Sequence, residues 1–440
     1  MFSGADGAKS NLPKFRRKFT GNGCQIRKWH EVARGLALKS FIEKLRNGRD
    51  LNGADVDTAV AILLSPDVGD EVKADFLTAL HRKGETTEEI AAFVQSLMKR
   101  AVDPMIDRAE MPGPMVDVCG TGGDGVDSFN ISTTVAFVVA AGGAVVVKHG
   151  NRRVTSSCGS ADVLEELGVP IDLPPEQLRE SLKRHSVGFL FARQYHPAFR
   201  ALAETRERLA RQNARTIFNA LGPLLNPARP SRQLIGVYSP HLTGIFAQVL
   251  RELRHERAWI VHGLGDNSAG MDDISVSGAT TVAELIDDKV TSAILDVSWL
   301  GIPRAPVGEL RGGDARENAA TIDGILSGKV AGAKRDMTIV NAAGGFVVAG
   351  LARDLKEGIE LAREEIDSGR ALEKLRALQN YRAKQGGSTA PRAVLIWRRR
   401  RTIFRHRGWT AGPTAKDCPI RHVEISQECD CERLAVYLPT

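Results

Sequence analysis

"MVDVCGTGGDGVDSFNISTTVAFVVAAGGAVVVKHGNRR", Met115 to Arg153, decides how the chain is read. Two short runs rich in β-branched residues, "MVDVC" and "AVVVK", flank a helix-length apolar segment, the pattern of a βαβ unit. Each run ends abruptly. After the first come Gly120, Gly122, Gly123 and Gly125 in one loop; after the second come Lys148, His149, Gly150, Asn151, Arg152 and Arg153. Strands of a parallel sheet deliver their loops to one carboxyl edge, where open α/β sheets bind ligands, so the two loops should face each other.

The alternation continues through "RQLIGVY", "RAWIVHG" and "KVTSAILDV", with helical stretches such as "HLTGIFAQVLREL" between them. An α/β domain with a mostly parallel central sheet follows. Upstream, apolar residues recur at three- and four-residue spacing from Ala37 to Val102, a small all-helical unit in which Thr86 or Thr87 caps "EEIAAFVQSLM". "HPAFRALAETRERLARQ" is helical but precedes the next strand, so it is expected to pack on that first unit. The expected organisation is a basic extension over 1–36, a helical domain over 37–108 joined by 193–213, an α/β domain over 109–192 and 214–385, and a poorly ordered extension over 386–440.

The chain has 440 residues, 42% of them apolar, enough for a substantial core. No apolar stretch is long enough to span a bilayer, and the first thirty residues hold no apolar core of a secretory signal. Six cysteines show no paired CxxC spacing, so a reducing, cytoplasmic setting fits better than a disulfide framework. The net charge of +7 sits on the ends: about eight basic and two acidic residues precede Ala37, about ten and five follow Ser388, and the body between is slightly acidic. That distribution argues against nucleic acid as a partner.

Successive glycines let backbone amides converge on one point, an anion nest, and "ISTTVAFVVAAGG" opens a helix whose N-terminus favours phosphate, with Ser132 and Thr133 as cap candidates. Gly120-x-Gly122-x-x-Gly125 also fits the dinucleotide fingerprint, but the second strand ends in Lys148 where that fold wants an acid, and the Gly-Lys-Ser/Thr of P-loop NTPases is absent. Lys148 can serve as a point charge on phosphate, and Ser156, Ser157, Gly159 and Ser160 form a second small-residue stretch before a helix. Asp266, Asp272 and Asp273 lie in "VHGLGDNSAGMDDISVSG"; adjacent carboxylates beside phosphate loops suit Mg²⁺.

Together these residues resemble the anthranilate phosphoribosyltransferases of tryptophan biosynthesis. The resemblance is carried by an ordered series: "GTGGD" at Gly120, "NIST" at Asn130, "KHGNR" at Lys148, "CGSAD" at Cys158, "RTIFNALGPLLNPA" at Arg215 and "GMDDIS" at Gly270. It implies an active site in the cleft between the two domains and a homodimer, formed through the helical domains, that transfers the phosphoribosyl group of 5-phosphoribosyl 1-diphosphate to the amine of anthranilate and releases pyrophosphate. It further implies that Gly120, Gly122, Gly123, Asp124, Asn130, Ile131, Ser132, Thr133, Lys148 and Ser160 bind the phosphoribosyl diphosphate. Gly120, His149, Asn151 and Arg206 would meet anthranilate, and Ser132, Asp272 and Asp273 would hold two Mg²⁺ ions. A pyrimidine nucleoside phosphorylase, or a catalytically silent nucleic-acid-binding relative, would share the architecture.

Two departures stand out. The family's usual Asp-Glu pair is Asp272-Asp273 here, with a shorter reach. The chain is also a few residues longer between Arg206 and "RTIFN", which leaves Arg206, Arg208 and Arg211 as alternatives at the anthranilate site. The chemistry asks for no strong base, since a neutral arylamine can attack C1 once the bond to pyrophosphate has largely broken. His149 is therefore read as a positioning residue.

Overall fold

The computed structural model describes residues 23–381, apart from 154–157, 213, 215 and 267. Ser156, Ser157, Arg215, most of the basic extension and all of 386–440 lie outside the described residues.

Four helices open the chain: α1 (Gly23–Arg46), α2 (Gly53–Leu63), α3 (Asp70–Lys83) and α4 (Thr87–Met98). The helix α1 begins inside the stretch read as an extension, and its buried Leu38, Ile42 and Leu45 keep the spacing of one helix face. Thr86 caps α4 by accepting from the Glu89 amide, and Glu89 returns a carboxylate to the Thr86 amide. The same fully buried Glu89 accepts from the Leu51 amide at 2.8 Å and from Lys83 at 2.7 Å, so one carboxylate ties the ends of three helices together.

The α/β part follows as β1 (Met115–Gly120), α5 (Ile131–Ala141), β2 (Val145–Gly150), α6 (Ser160–Glu166), α7 (Pro175–His185), β3 (Val187–Phe191), α8 (Ala192–Tyr195), α9 (Ala203–Arg211), β4 (Arg232–Gly236), α10 (His241–Glu252) and β5 (Arg257–Leu264). Beyond them come β6 (Gly270–Met271), β7 (Thr280–Ile286), β8 (Lys289–Leu295), α11 (Ala315–Leu326), α12 (Ala333–Ala349), α13 (Leu355–Asp367) and α14 (Arg370–Gln379). The sheet order is β3-β2-β1-β4-β5-β7-β8, with β6 paired on β5. The first five strands are parallel, while β6, β7 and β8 pair antiparallel.

"KVTSAILDV" is thus not a further parallel strand but the edge of a hairpin with β7. Its two-residue turn, Asp287 and Asp288, has φ of 50° and 61°, as a type I′ turn requires. A single apolar cluster joins Leu63, Phe76 and Phe93 of the helical bundle to Phe246 of α10 and to Ile235 and Ile260 of the sheet. The opposite face of the sheet is covered by α5 and α12.

The segment before β4 lies on the bundle. Lys73 of α3, 2% exposed, donates to the Ala201 carbonyl at 3.1 Å, and Thr205 of α9 donates to the Asp70 carboxylate. Among the described residues no helix is long and apolar enough to cross a membrane.

Candidate active site

The chain runs outward from β1 to β2 and β3, then returns to lay β4 on the other side of β1. At such a reversal adjacent loops diverge and leave a crevice at the carboxyl ends of the strands. Here those ends are two glycines in register, Gly120 and Gly236. A Cβ on Gly236 would stand 1.5 Å from the Asp272 carbonyl oxygen, and one on Gly120 would stand 2.2 Å from Asp272 Oδ2. Gly263, next to last in β5, is also crowded: a Cβ there would lie 2.6 Å from the Asp273 carbonyl oxygen. Three strand ends without side chains therefore let the acidic turn lie directly on the sheet edge.

The glycine loop closes over that turn. Gly122, Gly123 and Gly125 have φ of 69°, 75° and 81°, a region that other residues enter only with strain. The Gly122 amide donates to Asp272 Oδ2 at 2.7 Å. Asp124 accepts from the Val126 amide at 3.1 Å through one carboxylate oxygen, while its other oxygen is buried with no partner. Burial first, and the Asp124 charge second, push the Asp272 carboxyl up to about 7, against the Gly122 amide. Burial, then Asp272 and Asp124, push Asp273 well above the carboxylate range, opposed by Lys148.

Among the described residues no group of three or more His, Cys, Asp or Glu is arranged to hold a metal ion alone. Mg²⁺ needs no such cage, because one or two carboxylates plus substrate phosphates and water commonly complete its shell. Clustered carboxyls with raised pKa and an orphaned buried oxygen fit a divalent cation. An acid whose pKa is higher folded than unfolded binds more protons when folded, so its stability contribution is present at low pH and is lost as pH rises from 3.8 to about 7. Mg²⁺ should offset that loss. The expected result is a melting temperature raised a few degrees more by Mg²⁺ at about pH 8 than at about pH 5.5, and equal shifts in a melting series would speak against a cation at this turn.

Lys148, buried at the end of β2, donates to the Val118 carbonyl at 2.9 Å and to Ser132 Oγ at 3.0 Å. Burial pulls its pKa down, opposed first by Asp117 and also by Asp273 and Asp272. The cap expected from Ser132 or Thr133 falls on Asn130 instead, because α5 starts one residue before Ser132. Asn130 makes no side-chain cap: its amide donates to the Cys158 carbonyl and its oxygen accepts from Asn318. The first turn of α5 is thus left without a side-chain acceptor, with Ile131 buried and Thr133 Oγ1 buried without a partner.

In the second loop Ser160 Oγ and the Ala161 amide both donate to the Asn151 carbonyl, and a Cβ on Gly150 would meet Ser160 Oγ at 2.1 Å. Arg152 is ion-paired with Asp162 at 3.1 Å and Glu165 at 2.7 Å, and Asp162 also accepts from the Arg153 amide. These arginines fold the loop back on α6. Asp266, apart from the acidic pair, accepts from the Val307 amide at 3.1 Å.

Above the glycine loop opens a cavity of about 730 Å³ lined by Gly120, Gly122, Gly123, His149, Asn151 and Arg206, among others. Ser132, Asp272 and Asp273 border a separate small crevice, and Cys119 lines both. Asp124, Asn130, Ile131, Thr133, Lys148 and Ser160 line neither. The far wall of the cavity is aromatic. Edge-to-face contacts run from His149 to His196 (5.5 Å), on to Phe199 (5.6 Å), Phe218 (5.9 Å) and Phe93 of the helical bundle (6.4 Å).

Arg193, Arg200 and Arg206 line this wall, and no described acidic side chain does. Burial lowers the Arg206 pKa. Arg208 and Arg211 are instead paired with Glu71 and Glu207 outside the cavity. Burial, and next His196, drive His149 down to about 3, so its ring is neutral. The cavity therefore suits a planar aromatic anion, and the floor beside it suits a diphosphate with its cation.

Two family models match: the α/β domain of a glycosyl transferase family over residues 112–372, and the helical bundle domain of that family over 39–101. The anthranilate phosphoribosyltransferase of Haloferax volcanii is 43% identical over 342 residues, covering 78% of this chain and 99% of that protein. The chain belongs to the anthranilate phosphoribosyltransferase family. It is accordingly an enzyme, a glycosyltransferase. The crystal structure of the Thermus thermophilus family member superposes with a TM-score of 0.71 at 37% identity, covering 78% of this chain and 98% of that one. The Saccharomyces cerevisiae enzyme in complex with PRPP and Mg gives 0.69 at 27% identity, covering 78% and 97%. Another structure of the yeast enzyme holds 4-fluoroanthranilate.

Several residues of this family member's site escaped the sequence reading. Asn226, in "LLNPA", donates to Asp117 Oδ2 at 2.8 Å and to the Val147 carbonyl at 2.7 Å, locking β1 to β2 beneath Lys148. Its place in "RTIFNALGPLLNPA" was the available signal. Gly236, Gly263, His196 and Phe199 carried none, because their importance comes from neighbours far away in the chain.

Proposed function

We propose that this site joins anthranilate to the ribose of 5-phosphoribosyl 1-diphosphate, giving N-(5-phosphoribosyl)anthranilate and pyrophosphate for tryptophan synthesis. The supporting observation is the juxtaposition at Gly120: a glycine loop against a carboxylate turn on one side, an aromatic cavity walled by arginines on the other. The donor is held by Gly120, Gly122, Gly123, Asp124, Asn130, Ile131, Ser132, Thr133, Lys148 and Ser160. Anthranilate is held by Gly120, His149, Asn151 and Arg206. Ser132, Asp272 and Asp273 hold two Mg²⁺ ions, which supply charge neutralisation of the departing pyrophosphate. The yeast relative's complexes with PRPP and Mg and with 4-fluoroanthranilate support these ligand classes. They give no support to nucleoside phosphorolysis.

The chemistry follows from charge. As the C1–O bond breaks, its electron pair leaves with pyrophosphate and positive charge grows on the ribose. Lys148 and the uncapped first turn of α5 stabilise the negative side of that separation. Arg206 draws the acceptor's carboxylate and the aromatic wall holds its ring, so the amine lone pair forms the new N–C1 bond in line. The extra amine proton is then lost to a phosphate oxygen or water. Neutral His149 cannot repel the developing cation, and its role is to orient the acceptor.

The enzyme works as a cytoplasmic homodimer joined through its helical domains. Leu36 on α1, 61% exposed, offers apolar surface for that contact, and the free thiol of Cys119 suits a reducing compartment.

Arg206→Met tests the acceptor assignment. A hydrogen bond to a charged group contributes about 1.5–3 kcal/mol, so KM for anthranilate should rise at least about tenfold while KM for the phosphoribosyl donor stays near the wild-type value. Equal rises for both substrates would contradict the assignment.

A further inference from the structure

We propose that Asn341 is a positioning residue that fixes where the Asp272-Asp273 pair meets its cation. Asn341 sits in the interior of α12 and is 3% exposed, a position where an amide is unfavourable unless every polar atom finds a partner. All of them do. Its Oδ1 accepts from the Ile274 amide at 2.8 Å, and its Nδ2 donates to the Ile274 carbonyl at 2.9 Å and to the Met337 carbonyl at 2.9 Å. One side chain thereby grips both sides of the Ile274 backbone as a neighbouring strand would.

The place of that grip matters. Before the turn, the chain is held by the pairing of Gly270 and Met271 with β5; after it, the Ser275 amide donates to Thr280 Oγ1 at 3.0 Å and Ser275 Oγ donates to the Leu264 carbonyl at 2.7 Å. Between these anchors the amide and carbonyl of Ile274 are both bonded to Asn341. The helix is also pressed close, since a Cβ on Gly344 would meet Ile274 Cδ1 at 2.7 Å. Asn341 shares one crevice with Ser132, Asp272 and Asp273. The strand-end glycines beneath the carboxylate pair give space but no grip, and the Gly122 amide holds only the Asp272 side chain, so Asn341 of α12 supplies the backbone restraint that sets the height of the pair above the sheet edge.

This inference rests on the reading that Asp272 and Asp273 hold a divalent cation, and the test separates the two. Mn²⁺ binding to the full chain, read by paramagnetic resonance with pyrophosphate present, is compared for wild type, Asp273→Ala, Asn341→Leu and the double variant. Changing a group that orients metal ligands commonly costs 10–100-fold in affinity, so N341L should weaken Mn²⁺ about tenfold or more and leave KM for anthranilate within about twofold. On the D273A background N341L should add little, because both changes act through one carboxylate pair. If D273A and wild type bind Mn²⁺ alike, the cation reading itself fails. If D273A weakens Mn²⁺ and N341L does not, or if the two effects simply add, Asn341 has no positioning role. Should N341L not fold, Asn341→Ser is measured in the same way, and unchanged Mn²⁺ affinity in it would equally overturn the proposal.

Discussion

Gly236→Ala is expected to lower kcat/KM by at least about a hundredfold, the loss associated with misplacing a catalytic group by about 1 Å. The added Cβ would stand 1.5 Å from the Asp272 carbonyl oxygen and 2.2 Å from its carbon. Both atoms are backbone, so no rotamer change relieves the clash and the acidic turn must move. Overpacking of this kind also costs about 1–3 kcal/mol of stability, a melting shift that a thermal scan can read. Gly244→Ala on α10 is the control, since a Cβ there has nothing within 4 Å and alanine favours the helix. Near-normal activity in G236A would mean that the turn does not hold the cation at the switch point.

The second large effect is expected from Lys148→Met, with kcat reduced by about 10²–10³, the range for removing one preorganised electrostatic group. The buried amine bridges the Val118 carbonyl and Ser132 Oγ, and it is the cation that opposes the raised pKa of Asp273. Methionine keeps the stem and removes the charge. K148R should not rescue, because a planar guanidinium cannot occupy the site of a compact ammonium bonded in two directions. A K148R enzyme of wild-type rate would show that only net charge is required there.

Much of the site could be read from local pattern. The βαβ unit, the two facing loops and the acidic turn are each contiguous in sequence, and a parallel pair delivers its loops to one edge without further information. Long-range contacts were not legible. Gly236 looks like an ordinary strand residue until Asp272 is laid on it, and Asn341 looks like a helix-interior polar residue until Ile274 arrives between its two amide atoms. The choice among Arg206, Arg208 and Arg211 is similar. Helical phase turns Arg206 away from Arg208 and Arg211, which lie two and five residues further on, whereas those two are three apart and share a face. Which face meets the cavity depends on α3, whose Asp70, Glu71 and Lys73 hold the segment.

The strands that sequence reading passed over have local causes. In "TTVAELIDDKVTSAIL" the turn carries Asp-Asp rather than the commoner Asn-Gly, yet aspartate tolerates positive φ well enough to make it. "VGFLF" is short and follows α7 without a Gly or Pro break. Its helix ends on Ser186, in the left-handed conformation usually given to glycine, so the expected punctuation is missing. Arg152, which the loop sequence leaves without a partner, is held by Asp162 and Glu165, which only the return of α6 brings near.

The fluorescence of anthranilate in the presence of the purified chain reads the proposed transfer itself. Fluorescence should fall only when both 5-phosphoribosyl 1-diphosphate and Mg²⁺ are supplied, with one pyrophosphate released for each anthranilate consumed. Unchanged fluorescence from well-folded protein under those conditions would show that the chain does not join these two substrates.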